Sequence, residues 1–465
     1  LFVRGDVIVE LLDGKASIME PQAFRSRIER LGSTFRHRLS RTGPKLVESR
    51  CPVDVAAALL ETREARELLP PLRLITKQPL LTEENGSLIL LRPGYNRTAG
   101  GVFVLGHETP EDVPLDAACA ALVDLLADFD FVSDGDKSRA VAALITPALA
   151  MGSFLLDRIP LDMRAADRSQ AGKGYMQTMV CSIYGEETNT ITQKKGGVGS
   201  LDESLAQALI DGRPFVSIDN VRGKIDSCLF EAILTAAGPI VCRVPHKGQA
   251  LIDPRGMLFQ LTSNGMEATE DLANRSSIIR IKKRPRGTEF RPLLEMIEER
   301  QSFYLGCVHA VVREWHQRGK PRNQTCEHDF REWARTLGWI IQELFGLPAL
   351  MHGHREIQEQ ISSPASVWLR EVALAVQREG IVNEMSASRI FAFCQEHNIQ
   401  IPGAKADDDE AGARRVGLLI GRVFRDAEGD RVEMDGVPVC RLESKDDAGR
   451  DRKFYVFGEV PRDGF

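Results

Sequence analysis

The chain has 465 residues, 43% of them hydrophobic and 27% charged, with a net charge of −6. That length suits about three domains, and the balance is that of globular protein rather than of a disordered or fibrous chain. No stretch reaches the roughly 18 apolar residues of a membrane span. A negative chain is not one coated by nucleic acid, although a few lysines in a narrow channel can still grip a strand.

The opening, LFVRGDVIVELLDGK, lacks signal-peptide design and reads as strand, turn, strand. Its leucine start reads as a trimmed beginning. Nine cysteines are scattered with no Cys-x-x-Cys, which fits a reducing, cytoplasmic setting. Cys326 and His328 lie close in TCEHDF, but no second ligand pair follows, so no zinc site is expected.

In chain order, residues 1–105 predict an N-terminal α+β domain. Strand signals turn at Gly and Asn-Gly on either side of a helical piece over roughly 20–67. LPPLRLITKQP (69–79) reads as a proline-broken connector. A helical connector follows over 106–156, with apolar residues at helical spacing in 114–131 and 136–156. Over 157–285 strands and helices alternate, which predicts a parallel α/β sheet with its site at the strand C-termini. Within it, Ser200 and Glu203 form a capping box, and PFVSIDN and GMLFQLTSNG read as buried strands. IVCRV and ALIDP read as the arms of a hairpin around PHKGQ. Residues 286–360 are helical, with Trp315, Trp333 and Trp339 at core spacing. The last segment, 361–465, carries three helices and a strand pair, the pattern of a winged-helix domain.

The chemistry concentrates in 157–285. A phosphate loop needs small residues whose N–H groups reach phosphate, a lysine, and a helix N-terminus behind it. Here it runs Asp167, Arg168, Ser169, Gln170, Ala171, Gly172, Lys173, Gly174, with Tyr175 next. Asp167 stands where the first glycine belongs, and Gly174 stands where a hydroxyl normally holds magnesium. Asp219 ends the PFVSIDN strand 46 residues after Lys173, the position of a magnesium-binding carboxylate. Asn264 ends the next buried strand, where it can hold an attacking water. Arg275 follows 11 residues later, before a final strand, the place of an arginine finger that enters a neighbouring subunit. Asn220 can position water but cannot take its proton. Glu203 either supplies that carboxylate or serves only as a cap.

In GYNRTAGG, IDN, TSNG and DLANRS, together with the loop, the chain resembles the AAA+ replication helicases of mobile elements and phages. These are relatives of superfamily 3 and of the MCM-like helicases of staphylococcal cassette chromosomes. The likeness runs from about 70 to 285 with a compatible tail. It implies a P-loop NTPase core that binds ATP and Mg2+ and forms a hexameric ring translocating on single-stranded or forked DNA, with a replication-initiation protein as a further partner and no membrane. It also implies a basic pore hairpin, here tipped by His246 and Lys247. A second basic loop carries Lys194 and Lys195. Two other readings stay open: a non-hydrolysing scaffold with a degenerate loop, and a protein-remodelling loader.

Overall fold

A computed structural model describes residues 1–41, 43–166, 171–191, 200–221, 227–244, 248–264, 270–283, 291–362, 364–403, 409–424, 430–434, 436–445 and 451–458. The chain forms two compact units. One comprises Leu1–Met266 and Asn274–Arg355, the other Glu267–Ala273 and Glu356–Phe465.

The first unit opens with an antiparallel sheet of Phe2–Arg4, Val7–Leu12 and Lys15–Ile18. Arg4 fixes this sheet to the rest of the unit. It is buried, and its guanidinium donates to the carbonyls of Leu209 (2.9 Å from Nε) and Leu72 (3.2 Å). Burial and the nearby Arg73 bring its pKa down to about 10. The stretch read as helical holds helices Pro21–Leu31, Val53–Glu61 and Arg63–Glu67, but a hairpin of Phe35–Ser40 and Gly43–Glu48 interrupts them. Turn residues between two short runs outweigh the flanking helical periodicity there. The connector reading of 69–79 also needs correction. Leu74–Thr76 is a fully buried strand, parallel to Val102–Val104. The prolines bound it rather than break it.

The centre of the unit is a six-stranded sheet. Its strands are β1 (Asp130–Phe131), β2 (Leu161–Ala166), β3 (Asn189–Ile191), β4 (Phe215–Val221), β5 (Leu258–Asn264) and β6 (Ser276–Lys282). Their spatial order is β1-β6-β2-β5-β4-β3, with every pair parallel except β1 with β6. The helices that matter here are α1 (Asp134–Met151), α2 (Lys173–Ile183) after β2, α3 (Leu201–Asp211) after β3, and α4 (Cys228–Thr235) after β4. The fold is thus mixed α/β with a central, mainly parallel sheet, as the alternation predicted.

Side chains close the outer edge of β6 where β1 does not reach. His354 Nε2 accepts from the Ile278 N–H (3.2 Å), and Asp136 Oδ1 accepts from the Arg280 N–H (2.9 Å). Arg139 Nε donates to the Ile278 carbonyl (2.6 Å), and His328 Nε2 lies 3.2 Å from the Ser276 carbonyl. These four side chains satisfy edge groups that would otherwise be buried and unpaired. Trp315 and Trp333 are core residues, as their spacing predicted; Trp339 is half-buried beneath Arg318.

The second unit packs helices Pro364–Arg378, Ala387–Glu396 and Asp409–Val423 around Trp368, Leu369, Phe393, Ile420 and Tyr455. Its antiparallel sheet has four strands, not two. Met385–Ser386 and Arg431–Met434 flank the expected pair, Val437–Lys445 and Asp451–Phe457. Both added strands are short, and Arg431–Met434 alternates charge with apolar residues along an edge.

Candidate nucleotide site

The crossovers reverse direction between β2 and β5: the chain leaves β2 for the far edge at β3, and leaves β5 to cross β2 and reach β6. In parallel α/β sheets such a switch point opens a crevice at the strand C-termini. Register puts Ala166, the last residue of β2, beside Asn264, the last residue of β5. The loop between β2 and α2 therefore rises at the same edge as the ends of β4 and β5.

Gly172 ends that loop with φ 87°, in the left-handed region that glycine enters at no steric cost. A Cβ there would lie 3.4 Å from the Phe129 ring. Helix α2 begins at Lys173 with no side-chain cap, so its first N–H groups suit an anion. Ala171 and Lys173 are buried at this edge. A Cβ added to Gly174 would meet nothing within 4 Å, so space does not require this glycine. Tyr175, assigned to the cofactor from sequence, has its hydroxyl 3.3 Å from the Leu294 N–H and 3.4 Å from the Arg291 carbonyl, at the start of helix Leu293–Glu299. Asp167, Ser169 and Gln170 lie outside the described residues.

Asp219, on β4, is exposed at the same edge, and its Oδ1 accepts a hydrogen bond from the buried Thr262 hydroxyl on β5. Pairing of β4 with β5 shifts register between Ile218 and Val221, so Asp219 and Asn220 sit at an irregularity in the strand. Asn220 is the penultimate residue of β4 and Asn264 the last of β5; their side chains lie outside the described part of the structure. Glu203 fulfils the capping expectation in one direction: its N–H points to Ser200 Oγ at 3.4 Å.

Arg275 lies at the other end of the sheet. It immediately precedes β6, whose first residue, Ser276, pairs with Leu161 at the start of β2, and the Leu161 N–H donates to the Arg275 carbonyl (2.9 Å). From Leu161 to Ala166 is five strand steps, roughly 16 Å at ~3.3 Å each. Lys173, Asp219 and Asn264 thus share one edge, and Arg275 sits at the opposite one.

The expected hairpin is present. Ile240–Val244 pairs antiparallel with Gly248–Ile252, from Ile240 opposite Ile252 to Val244 opposite Gly248. Its second strand rests on the N-terminal sheet: the Leu251 N–H donates to Asp6 Oδ1 (2.6 Å). The tip, with His246 and Lys247, and the loop with Lys194 and Lys195 lie outside the described residues.

Sequence reasoning gave no role to Arg164, which is fully buried on β2 between Met163 and Ala165. Its Nη2 pairs with Asp162 Oδ2 at 2.6 Å. Burial outweighs this partner and raises the Asp162 pKa. Nearby, Ser217 Oγ and Cys181 Sγ both donate to Gln260 Oε1 (3.1 and 3.4 Å), which makes a polar layer between the sheet and α2. Two charged residues of opposite sign two positions apart in a short strand, Asp162 and Arg164, were the signal in the sequence.

No protein-family profile and no curated protein matches the sequence. Among solved structures, the chain is similar to the apo C-terminal region of NrS-1, with 12% identity and a TM-score of 0.37 over 94% of this chain and 100% of that one. It is also similar to SCCmec type IV Cch, described as an active helicase, with 12% identity and a TM-score of 0.35 over 98% of this chain and 94% of that one.

Proposed function

We propose that the chain is an ATP-dependent DNA helicase or translocase of the AAA+ class, working as a hexameric ring in the replication of a phage or mobile element. Lys173 and the N–H groups at the start of α2 would hold the phosphates of ATP. Asp219 would hold magnesium, and Asn220 and Asn264 would orient water. Magnesium supplies charge neutralisation at the phosphates when bound. The donors fit that pair: a glycine in the left-handed region, an uncapped helix start and an exposed carboxylate meet at one crevice.

The reading rests above all on the opposition of Arg275 to Lys173 across the sheet. An arginine roughly 16 Å from the crevice of its own subunit serves nucleotide only if a second copy brings it there. This favours ATP at subunit interfaces and hence a ring. His246, Lys247, Lys194 and Lys195 would face DNA in the pore. The helix, strand and helix order of the second unit supports a winged-helix domain, suited to DNA or to a replication-initiation partner.

A mixing experiment tests the proposal. Lys173→Ala and Arg275→Ala variants should each lose DNA-stimulated ATP hydrolysis, and mixed together they should regain part of it, because some interfaces then join an intact lysine to an intact arginine. Mixtures that stay inactive would sink the shared site. A second reading draws on Gly174, which offers magnesium no hydroxyl: nucleotide would bind and build the ring without turnover. Nucleotide binding with no hydrolysis in the presence of DNA would select it.

A further inference from the structure

We infer that the hairpin Phe35–Ser40/Gly43–Glu48 is a second binding site, for single-stranded nucleic acid, on the N-terminal part of the chain. Every described residue of its two strands is exposed except the half-buried Gly43, and among the described residues its strands pair only with each other. Hydrogen bonds tie the hairpin down at its base. The Ser49 N–H donates to the Thr34 carbonyl (2.9 Å), and the Cys51 N–H donates to Glu29 Oε1 (3.1 Å). From that base six residue pairs extend roughly 20 Å into solvent. A two-stranded hairpin standing alone is marginal in water, so its cost calls for an occupant.

The register sorts its side chains onto two unlike faces. Arg36 lies opposite Val47, and Arg38 lies directly opposite Lys45. Like charges at a directly opposed pair destabilise a hairpin, and an anion between them removes that cost. Neither Arg36, Arg38 nor Lys45 pairs with a carboxylate among the described residues. The one carboxylate of the hairpin, Glu48, is opposite Phe35 and thus on the other face. Arg41 at the turn and Arg50 past the base add to the positive charge, in a chain that is net −6. The second face carries Phe35, His37, Leu39 and Leu46, with Leu39 87% and Phe35 56% exposed.

Cations on one face and rings on the other match a flexible polyanion with π-faced bases. Phosphates neutralise the Arg36, Arg38 and Lys45 face, and bases that pass over the edge stack on Phe35 and His37. A stiff duplex meets only one face, and a membrane surface would leave the other unused. The site deepens the proposed function by giving the ring a second hold on its strand, but its charge argument does not require ATP turnover.

The test is fluorescence anisotropy with a labelled oligo-dT, without nucleotide, on the full chain and an Arg36→Gln/Arg38→Gln/Lys45→Gln variant. Loss of three phosphate contacts should lower the slope of log affinity against log salt by about 2, since each contact contributes ~0.7 for a single strand. Phe35→Ala should weaken binding about fivefold or more with the salt slope unchanged, because stacking is worth ~1–3 kcal/mol per base. Basal ATP hydrolysis serves as the folding control for both. Equal affinity and slope for the triple variant and the wild type would overturn the hairpin site while leaving the nucleic-acid reading intact. No binding by the wild type would overturn both. Loss of self-association in the triple variant, with oligo-dT binding retained, would assign the hairpin to a second copy instead.

Discussion

The Thr262 hydroxyl donates to the carboxylate of Asp219, joining the C-terminal parts of β5 and β4 beside the candidate crevice. Thr262 is buried and Asp219 is exposed, so the bond aims one carboxylate oxygen from a fixed point. Thr262→Val keeps the shape and removes the donor. Hydrogen bonds to charged groups are worth about 1.5–3 kcal/mol, so kcat should fall roughly 10- to 100-fold, with ATP affinity nearly unchanged. Steady-state hydrolysis together with equilibrium nucleotide binding separates the two effects. An unchanged kcat would mean that the bond positions nothing the reaction uses.

The two loop glycines should respond in opposite ways. Gly172 needs its left-handed backbone, and a Cβ there also crowds Phe129, so Gly172→Ala should cost about 1 kcal/mol or more of stability and most of the nucleotide affinity. Gly174 has open space and sits in the first turn of α2. Gly174→Ser should fold as well as the wild type and lower the magnesium concentration needed for half-maximal hydrolysis, since it restores the usual hydroxyl. Thermal melts and a magnesium titration read both. A Gly174→Ser variant that leaves the magnesium response unmoved would place the metal away from this position.

What the sequence made legible follows from local rules. The alternation over 157–285 was readable above all at β4 and β5, where an apolar run closes in polar residues. The strand order was not, because the placing of β5 between β2 and β4 depends on contacts distant in sequence. The motif residues could be named, but the opposition of Arg275 to Lys173 appears only once β6 is seen to start where β2 starts. The hairpin at 35–48 was hidden inside helical surroundings, since exposed strands lack the apolar alternation that marks a half-buried one. Arg4, Arg139 and Arg164 read as surface cations by type. Their burial is decided by the carbonyls and carboxylates that the fold brings to them.

The edge of β6 gives a sharper stability prediction. Asp136 is enclosed, and burial alone would raise its pKa. Arg139, Ser133 and Arg280 together outweigh burial and hold it below the usual carboxylate value. The carboxylate pairs with Arg139 at 2.9 Å and with Arg280 at 3.3 Å. Removing one member of a buried pair strands the other charge, at a cost of about 3–5 kcal/mol. Asp136→Asn should therefore lower the unfolding midpoint of the first unit sharply in urea. Replacing Asp136 and Arg139 together by Leu and Met should cost less than the two single changes added. Strict additivity would show that the two side chains act separately.

Three buried histidines make stability depend on pH in a known direction. Burial lowers the pKa of His328, of His354 and, to about 3, of His309. The unfolded chain takes up these protons near pH 6.5, before the native chain does, so the contribution is complete above that pH and is lost as pH falls below it. Between pH 7.5 and 5.5 His309, held at about 3, removes about 1.4 kcal/mol of stability. His309 isolates the effect, because neither ring nitrogen has a hydrogen-bond partner among the described residues. His309→Leu removes a buried unpaired polar ring. It should match or exceed wild-type stability at pH 7.5 and lose about 1.4 kcal/mol less than the wild type on going to pH 5.5. Urea titrations at the two pH values decide it: parallel losses in the two proteins would mean that His309 finds a proton partner in the native state.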